Sequence, residues 1–301
     1  MRSCLLTFSR PNTTSMSATV TPNNGARKRT MWSVALPASG AAVSVLARQH
    51  GIALTVVDCG VAHDFGPRDS EPTGQPRLLA RKIARGTADA SQQVAMTQAQ
   101  CETGLRNGGQ LVRELPGNVL LLGEMGIGNT SAAALLMARL AGIDIGLCTG
   151  AGTGLDGAGV ARKTDVLRAV LARHAALSAP LDVLAALGGF EIATMVGAIL
   201  QAASERRVLL VDGFITTSAV LVAHALQPHV LQRCVFAHRS GERGHARMLQ
   251  HLGAQPLLDM GLRLGEGSGA ALAWPLLQSA CLVLDEMASF DTAGVSGKSV
   301  P

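Results

Sequence analysis

Residues 118–137 read NVLLLGEMGIGNTSAAALLM, an apolar run followed by a glycine-rich turn and a second apolar run. The uninterrupted apolar stretch Val119–Leu122 is typical of a parallel strand that is buried on both faces. Residues Ala132–Leu140 have the pattern of a helix, and Asn129–Ser131 supply residue types that cap a helix start. This stretch therefore predicts a strand, a tight loop and a helix in succession.

The loop within this stretch, GEMGIG at residues 123–128, predicts a place where a ligand approaches the backbone. Gly126 and Gly128 allow sharp turns, and the following helix N-terminus presents N–H groups and the positive end of a dipole to a phosphate. Glu124 stands at the carboxyl end of the strand, where open α/β sheets bind ligands. On this stretch alone, Glu124 could serve either a reaction or the capping of a neighbouring amide.

The remainder of the chain repeats the alternation of apolar strands with helices. At residues 208–226 and 234–252, a short apolar run is followed by a polar turn and a helical pattern. The alternation predicts an α/β fold with a mostly parallel sheet that is flanked by helices. Residues 1–38 differ, because they are rich in Ser, Thr, Asn and Arg and precede the first acidic residue, Asp58. We expect residues 1–38 to be a disordered or mis-started segment.

The composition argues against two classes of partner. The formal charge of +5 is matched by five basic residues that stand before position 38, namely Arg2, Arg10, Arg27, Lys28 and Arg29, so the rest of the chain is neutral. A neutral body with only 3% aromatic residues argues against nucleic-acid binding. The uncharged runs 30–47 and 267–284 each contain a proline, so we expect no membrane span. The six scattered cysteines predict free thiols in a reducing cytoplasm.

Two further glycine loops carry candidate ligand groups. Residues 152–157, GTGLDG, match the GxGxxG pattern of dinucleotide binding, but the acidic residue that should follow about 20 positions later is not at the end of a strand. Because the glycines match but the acidic residue does not, a dinucleotide-dependent oxidoreductase is the less favoured alternative. Lys163 follows this loop and could either contact a phosphate or stand in solvent. The loop Gly265–Gly269 carries Glu266 beside its first glycine, as the first loop carries Glu124, and this recurrence favours an active site.

His238, Glu242 and His245 form a third group of polar residues. Their spacing matches no common zinc motif and crosses a turn that contains two glycines. We therefore predict no metal site. We expect Ser240 and the neighbouring backbone N–H groups to bind an anion or to pair with another loop.

Six motifs stand in order along the chain: GEMGIGNTSAAALL (123–136), GTGLDGAGVARK (152–163), LDVLAALGGFEIATMVGAIL (181–200), VDGFITTSA (211–219), AHRSGERGH (237–245) and LRLGEGSGAALAWPLL (262–277). Together they resemble the nicotinate-nucleotide:dimethylbenzimidazole phosphoribosyltransferases, a family of vitamin B12 lower-ligand synthesis. The resemblance runs from about Ser39 to Lys298. It implies a large Rossmann-like α/β domain at 39–265, a C-terminal helical part at 266–301 that contributes to a smaller helical domain built from both chain ends, and a homodimer.

The resemblance also implies the reaction, which needs no metal and no redox cofactor. A benzimidazole nitrogen attacks C1′ of nicotinate mononucleotide, nicotinate leaves, and α-ribazole 5′-phosphate forms with inversion. By motif match, Glu266 accepts the proton of the base and Glu124 assists, which suits a carboxylate whose pKa an apolar pocket raises. The implied substrate-binding positions, which include those that hold the 5′-phosphate, are Lys163, Gly126, Gly128, Asn129, Thr130, Thr153, Gly154, Ser240 and Gly265.

The chain departs from this family before Gly40. Family members carry there an Asp-His-Gly segment and a Ser-x-Tyr-Pro segment that help to line the benzimidazole pocket, and residues 1–38 contain neither. A second interpretation therefore stays open, in which the protein is a homologue that binds the nucleotide but lacks the base pocket and is catalytically impaired.

Overall fold

The computed structural model describes residues 3–9, 41–63, 65, 77–126, 128–152 and 154–289. Its strands are β1 (Ser3–Ser9), β2 (Ala53–Asp58), β3 (Arg77–Ala80), β4 (Val119–Met125), β5 (Val208–Val211) and β6 (Cys234–Phe236). Its α-helices are α1 (Ala42–Gln49), α2 (Gln98–Glu114), α3 (Asn129–Ala141), α4 (Ile145–Cys148), α5 (Gly157–Arg173), α6 (Pro180–Leu187), α7 (Phe190–Ser204), α8 (Phe214–Leu226), α9 (His245–His251) and α10 (Ser268–Glu286), with a 3₁₀ helix at Pro228–Arg233. This alternation confirms the predicted α/β class.

The strands of the described ranges form one parallel sheet in the order β3-β2-β1-β4-β5-β6. Strands β2 and β3 follow β1 on one side of the sheet, whereas β4, β5 and β6 follow on its other side. The direction in which strands are added therefore reverses between β1 and β4. Such a reversal opens a crevice at the carboxyl ends of the strands, where open α/β sheets bind their ligands. Because β4 ends in Glu124 and Met125, it brings the predicted carboxylate to this crevice.

The position of β4 explains its uninterrupted apolar sequence. On one side of the sheet, Val119 and Leu121 face a hydrophobic cluster that includes residues of α1 and α10. Leu120 and Leu122 face the larger cluster on the other side, which includes residues of α2, α3, α6, α7 and α8. Since successive side chains of a strand point to opposite faces, the part of β4 that is covered on both sides by these clusters, Val119–Leu122, is apolar throughout.

Helix α10 changes its surroundings along its length. Its first half packs on the sheet through Ala270–Trp274, whereas Leu282, Leu284 and Met287 at its end are exposed. The first half thus belongs with the sheet, and the assignment of 266–301 to a smaller domain stays a prediction. In the part of the chain that the structure describes, no helix is both long enough and apolar enough to cross a membrane.

The described start of the chain contributes a strand to the sheet. Ser3–Ser9 forms β1, which pairs in parallel with β2 on one side and β4 on the other. The interpretation of residues 1–38 as a disordered or mis-started segment stays a prediction, because Ser3–Ser9 is the only part of it that the structure describes. The edges of β2 and β4 expose backbone N–H and C=O groups that a strand between them satisfies. The rest of that segment lies outside the described residues.

Candidate active site

Glu124 lies at the end of β4 and is almost completely buried, with 8% of its surface exposed. Burial raises the pKa of its carboxyl group to about 8, and the nearby carboxylates of Glu191, Asp212 and Glu266 add to the rise. The side chain of Asn129 donates a hydrogen bond to Glu124 Oε2, which opposes the rise in pKa. A carboxyl group with this pKa is mostly protonated at neutral pH, unlike an exposed glutamate.

Glu266 lies in the loop before α10, in a run of three residues with left-handed backbone. Gly265, Glu266 and Gly267 have φ values of 72°, 67° and 89°. A non-glycine residue in this region costs on the order of 1–3 kcal/mol, and it persists only where its surroundings hold it. Here the N–H of Ser268 donates to the carbonyl of Gly265 at 3.0 Å and closes a tight turn around Glu266.

The loops that carry the two glutamates contact each other directly. The N–H of Glu266 donates to the carbonyl of Glu124 at 2.9 Å. A Cβ atom on Gly123 would collide with the backbone of Gly267, so only a glycine there permits this approach. The structure thus brings together two glutamates that stand 142 positions apart in the sequence, at the switch point of the sheet.

The carboxyl group of Glu266 is held differently from that of Glu124. Partial burial raises its pKa, whereas hydrogen bonds from the backbone N–H groups of Val43 and Ala42 lower it and the charge of Asp212 raises it. These N–H groups begin helix α1, whose N-terminus carries a partial positive charge. Glu266 is therefore a half-buried carboxylate that is stabilised at a helix end.

Asn129 does not take the capping role that its residue type predicts. Gly128 is the N-cap of α3, with φ 89°, and Asn129 is the first helical residue. Its side chain turns back to Glu124 instead of bonding to an amide of its own helix. A glycine cap offers no side chain to the first N–H groups of α3, which suits an anion at this helix end. Gly126 lies half-buried in the same turn.

Lys163 extends from α5 to the start of α3. Its Nζ donates to Thr130 Oγ1 at 2.8 Å and lies 3.4 Å from the carbonyl of Gly150. Burial lowers the pKa of Lys163, and the charge of Glu242 opposes that effect. Lys163 is thus not a lysine in open solvent. It places a positive charge beside the uncapped N-terminus of α3.

The loop at 152–157 is arranged differently from the first glycine loop. The N–H of Gly154 donates to the carbonyl of Ala151 at 3.1 Å, so it is directed into its own turn and not towards a ligand, contrary to our expectation. The carboxylate of Asp156 caps α5 through the N–H of Gly159 at 2.7 Å. Because an anionic cap occupies this helix end, the arrangement disfavours dinucleotide binding. Thr153 lies outside the described residues.

Ser240 also forms contacts within the protein. Its N–H donates to His245 Nδ1 at 2.8 Å, and its Oγ accepts the N–H of Glu242 at 3.2 Å. His245 Nε2 contacts Thr217 Oγ1 at 2.9 Å, and burial together with the nearby His238 lowers the pKa of His245 to about 3. This histidine is therefore neutral. In the described ranges, no group of three or more His, Cys, Asp or Glu residues could hold a metal ion.

Asp212 is a residue of the site that sequence reasoning missed. It follows β5 directly, is 2% exposed, and accepts hydrogen bonds from the N–H groups of Gly267 at 3.2 Å and Ala270 at 3.1 Å. Burial raises the pKa of Asp212 and the neighbouring His238 opposes that effect. The available signal was its place at the carboxyl end of a predicted strand, the same place that drew attention to Glu124.

A doubly wound parallel sheet with two carboxylates and a lysine at its switch point is typical of α/β proteins that bind a ligand at this crevice. The chain belongs to the phosphoribosyltransferase family DBI_PRT, whose model matches residues 19–295. The match begins within 1–38, earlier than the motifs indicated.

Individual relatives agree with this family. The chain is 69% identical over 261 residues to a nicotinate-nucleotide–dimethylbenzimidazole phosphoribosyltransferase from Variovorax paradoxus, with 87% of this chain and 73% of the relative covered. It is 55% identical to the enzyme of the same name from Dechloromonas aromatica, with 87% and 75% covered. The crystal structure of CobT from Thermus thermophilus superposes with a TM-score of 0.87 at 35% identity, covering 98% of this chain and 87% of that one.

Proposed function

We propose that this protein transfers the phosphoribosyl group of nicotinate mononucleotide to 5,6-dimethylbenzimidazole or a related aromatic base. The products are α-ribazole 5′-phosphate and nicotinate. The observation that carries the proposal is the contact between the two glutamate loops at the switch point, with Lys163 placed at the neighbouring helix end. The names of the relatives in Variovorax and Dechloromonas support the same substrates.

In this reaction one ring nitrogen of the base attacks C1′ as the bond from C1′ to the nicotinate nitrogen breaks. The attacking base becomes a cation unless its other nitrogen loses a proton, so a carboxylate has to accept that proton. We assign this role to Glu266, because hydrogen bonds from α1 favour its ionised form while burial and Asp212 keep it basic. The step needs no metal and no redox cofactor.

Glu124 has the supporting role in this proposal. With a pKa of about 8 it is mostly protonated at neutral pH, and its carboxyl group is held by Asn129. A positive charge that develops on the ribose would favour the ionised form of Glu124, which in turn stabilises that charge. Its carbonyl also fixes Glu266 through the 2.9 Å hydrogen bond.

The 5′-phosphate has a candidate position at the start of α3. Lys163 and Thr130 are already in contact there, and the amides of Gly128 and Asn129 begin the helix. A phosphate at this end gains from a charged donor and from the helix dipole. We place Gly126 and Gly265 where the backbone approaches the ribose, and Ser240 at the border of the same crevice.

The test is to incubate the purified chain with nicotinate mononucleotide and dimethylbenzimidazole and to look for α-ribazole 5′-phosphate by mass spectrometry. Glu266→Gln serves as the negative control. Product that depends on Glu266 supports the proposal. A folded protein that binds the nucleotide without forming product would instead support the second interpretation, a homologue whose base pocket is impaired.

The assembly and location of the protein are further parts of the proposal. We infer a homodimer in which the exposed apolar end of α10, with Leu282, Leu284 and Met287, lies at an interface. Light scattering should give twice the mass of the chain, and Leu284→Glu should shift it towards the monomer. The cysteines at 59, 101, 148, 234 and 281, all free thiols within the described part, support a cytoplasmic location.

A further inference from the structure

Asp212 contacts the start of helix α10 from a distant part of the chain. Its Oδ2 accepts the N–H of Gly267 and its Oδ1 accepts the N–H of Ala270, and the N–H of Gly269 is a third donor to this carboxylate. The N-cap of α10 is Gly267, which has no side chain of its own to offer these groups. Asp212, 55 residues earlier, therefore supplies the cap of this helix.

This cap acts on the residue next to Glu266. The strained turn of Glu266 is held on one side by the carbonyl of Glu124, through the N–H of Glu266 itself. On the other side it is held by Asp212, through the N–H of Gly267. Since a left-handed glutamate persists only where its surroundings hold it, these two contacts stabilise the backbone turn from which its side chain extends.

His238 lies behind Asp212 and completes the support. Its Nδ1 is 3.5 Å from Asp212 Oδ1, and both side chains are buried. A Cβ atom on Gly269 would collide with the His238 ring and would lie 2.7 Å from Asp212 Oδ1. Only a glycine at position 269 lets the helix start, the histidine and the aspartate meet. The arrangement links β5, the segment after β6 and α10 at one point.

We propose that Asp212 is a positioning residue for the proton transfer, holding the left-handed turn of Glu266 in its catalytic conformation, with His238 holding Asp212 in turn. The inference rests on the proposed function and deepens it, because it explains how a glycine-rich loop presents a base in a fixed position. Asp212 also places a negative charge near Glu266 and Glu124, which strengthens both as bases.

The test compares Asp212→Asn with Asp156→Asn, a matched change at another helix cap, in steady-state kinetics over pH 5–9. An asparagine can accept from one N–H group but turns its NH₂ group towards another. We expect Asp212→Asn to lower kcat by about 10- to 100-fold, the scale of a misplaced catalytic group, with the KM for nicotinate mononucleotide changed much less. Asp156→Asn should leave kcat near the wild-type value.

The pH profile separates positioning from simple stabilisation. The titratable groups that bear on Glu266 are Asp212 and Glu124, while Glu191 acts on Glu124 and His238 acts on Asp212. Removing the Asp212 charge should move the acidic limb of kcat/KM to lower pH, because the base loses a neighbour that disfavours its ionisation. An unchanged limb together with near-normal kcat would overturn the inference, and so would a loss of melting temperature without a kinetic change.

A second variant covers the case in which Asp212→Asn does not fold. His238→Gln leaves the Asp212 cap in place but removes the ring that supports it, so we expect the same direction of change in kcat and a smaller size. Normal kinetics in this variant would contradict the part assigned to His238. Failure of the wild-type protein to form product would overturn the proposed function itself, and is therefore distinguishable from failure of this inference.

Discussion

The two glutamate loops of this protein share one motif but hold their carboxyl groups in opposite ways. In each, a glutamate follows the first glycine and a glycine with φ 89° caps the next helix, Gly128 for α3 and Gly267 for α10. Glu124 is buried at the end of a regular strand, and its pKa rises to about 8. Glu266 is half-buried on a strained turn, and helix α1 stabilises its charge. Burial favours the protonated form of Glu124, whereas hydrogen bonds from α1 favour the ionised form of Glu266, which can accept a proton.

The largest expected effect is the loss of turnover in Glu266→Gln. The amide keeps the shape of the side chain but cannot accept the proton of the base, so kcat should fall on the order of 10²- to 10⁴-fold. Nucleotide binding, measured by calorimetry, should remain. The exposed glutamate in Glu102→Gln is the control and should have normal kinetics. Loss of nucleotide binding in Glu266→Gln would mean that the residue holds substrate and does not act as the base.

The burial of Glu124 should appear in the stability of the protein. Its pKa in the folded state, about 8, is raised above the ordinary value of 4.5, so folding is favoured most below about pH 4.5 and the contribution is lost as pH rises towards 8. At pH 7 the free energy of unfolding should be about 3 kcal/mol lower than at pH 4.5, at about 1.4 kcal/mol per pH unit. Urea unfolding from pH 4.5 to 8 should show a decline in wild type that is reduced in Glu124→Gln. Parallel pH curves for the two proteins would show that Glu124 is not buried as described.

Substitution of Lys163 tests the proposed position of the 5′-phosphate at the start of α3, beside the loop that carries Glu124. Lys163→Ala should weaken binding of nicotinate mononucleotide by about 1–3 kcal/mol, the scale of a charge-assisted hydrogen bond. Arg162→Ala is a matched control, because Arg162 stands next to Lys163 on the same helix and its side chain is exposed. Equal affinities in the two variants would remove Lys163 from the binding site.

The smallest expected effect comes from the hydrogen bond that Asn129 donates to Glu124. This bond favours the ionised carboxylate, so Asn129→Ala should raise the pKa of Glu124 further. The pH at which stability stops declining should move up by about one unit. Urea unfolding against pH in both proteins measures the shift. A downward shift would show that the bond stabilises the protonated form instead.

The sequence predicted the local secondary structure around Glu124 correctly. The apolar run of β4, the glycine turn and α3 follow from residue type and spacing, and the recurrence of a glutamate beside a glycine located both carboxylates. The capping role of Asn129 was wrong because its side chain meets a deeply buried carboxylate, a contact that propensity does not include. Asp212 and the support of Glu266 by α1 depend on contacts between distant segments, which no local pattern reports.

In the proposed reaction Glu266, and not Glu124, accepts the proton of the attacking base. The most direct test measures kcat for Glu266→Gln and Glu124→Gln side by side at pH 7, with saturating nicotinate mononucleotide and dimethylbenzimidazole. We predict that both variants fold and bind the nucleotide, and that Glu266→Gln loses far more turnover than Glu124→Gln. Near-normal turnover in Glu266→Gln, together with its abolition in Glu124→Gln, would contradict the claim and reverse the two roles.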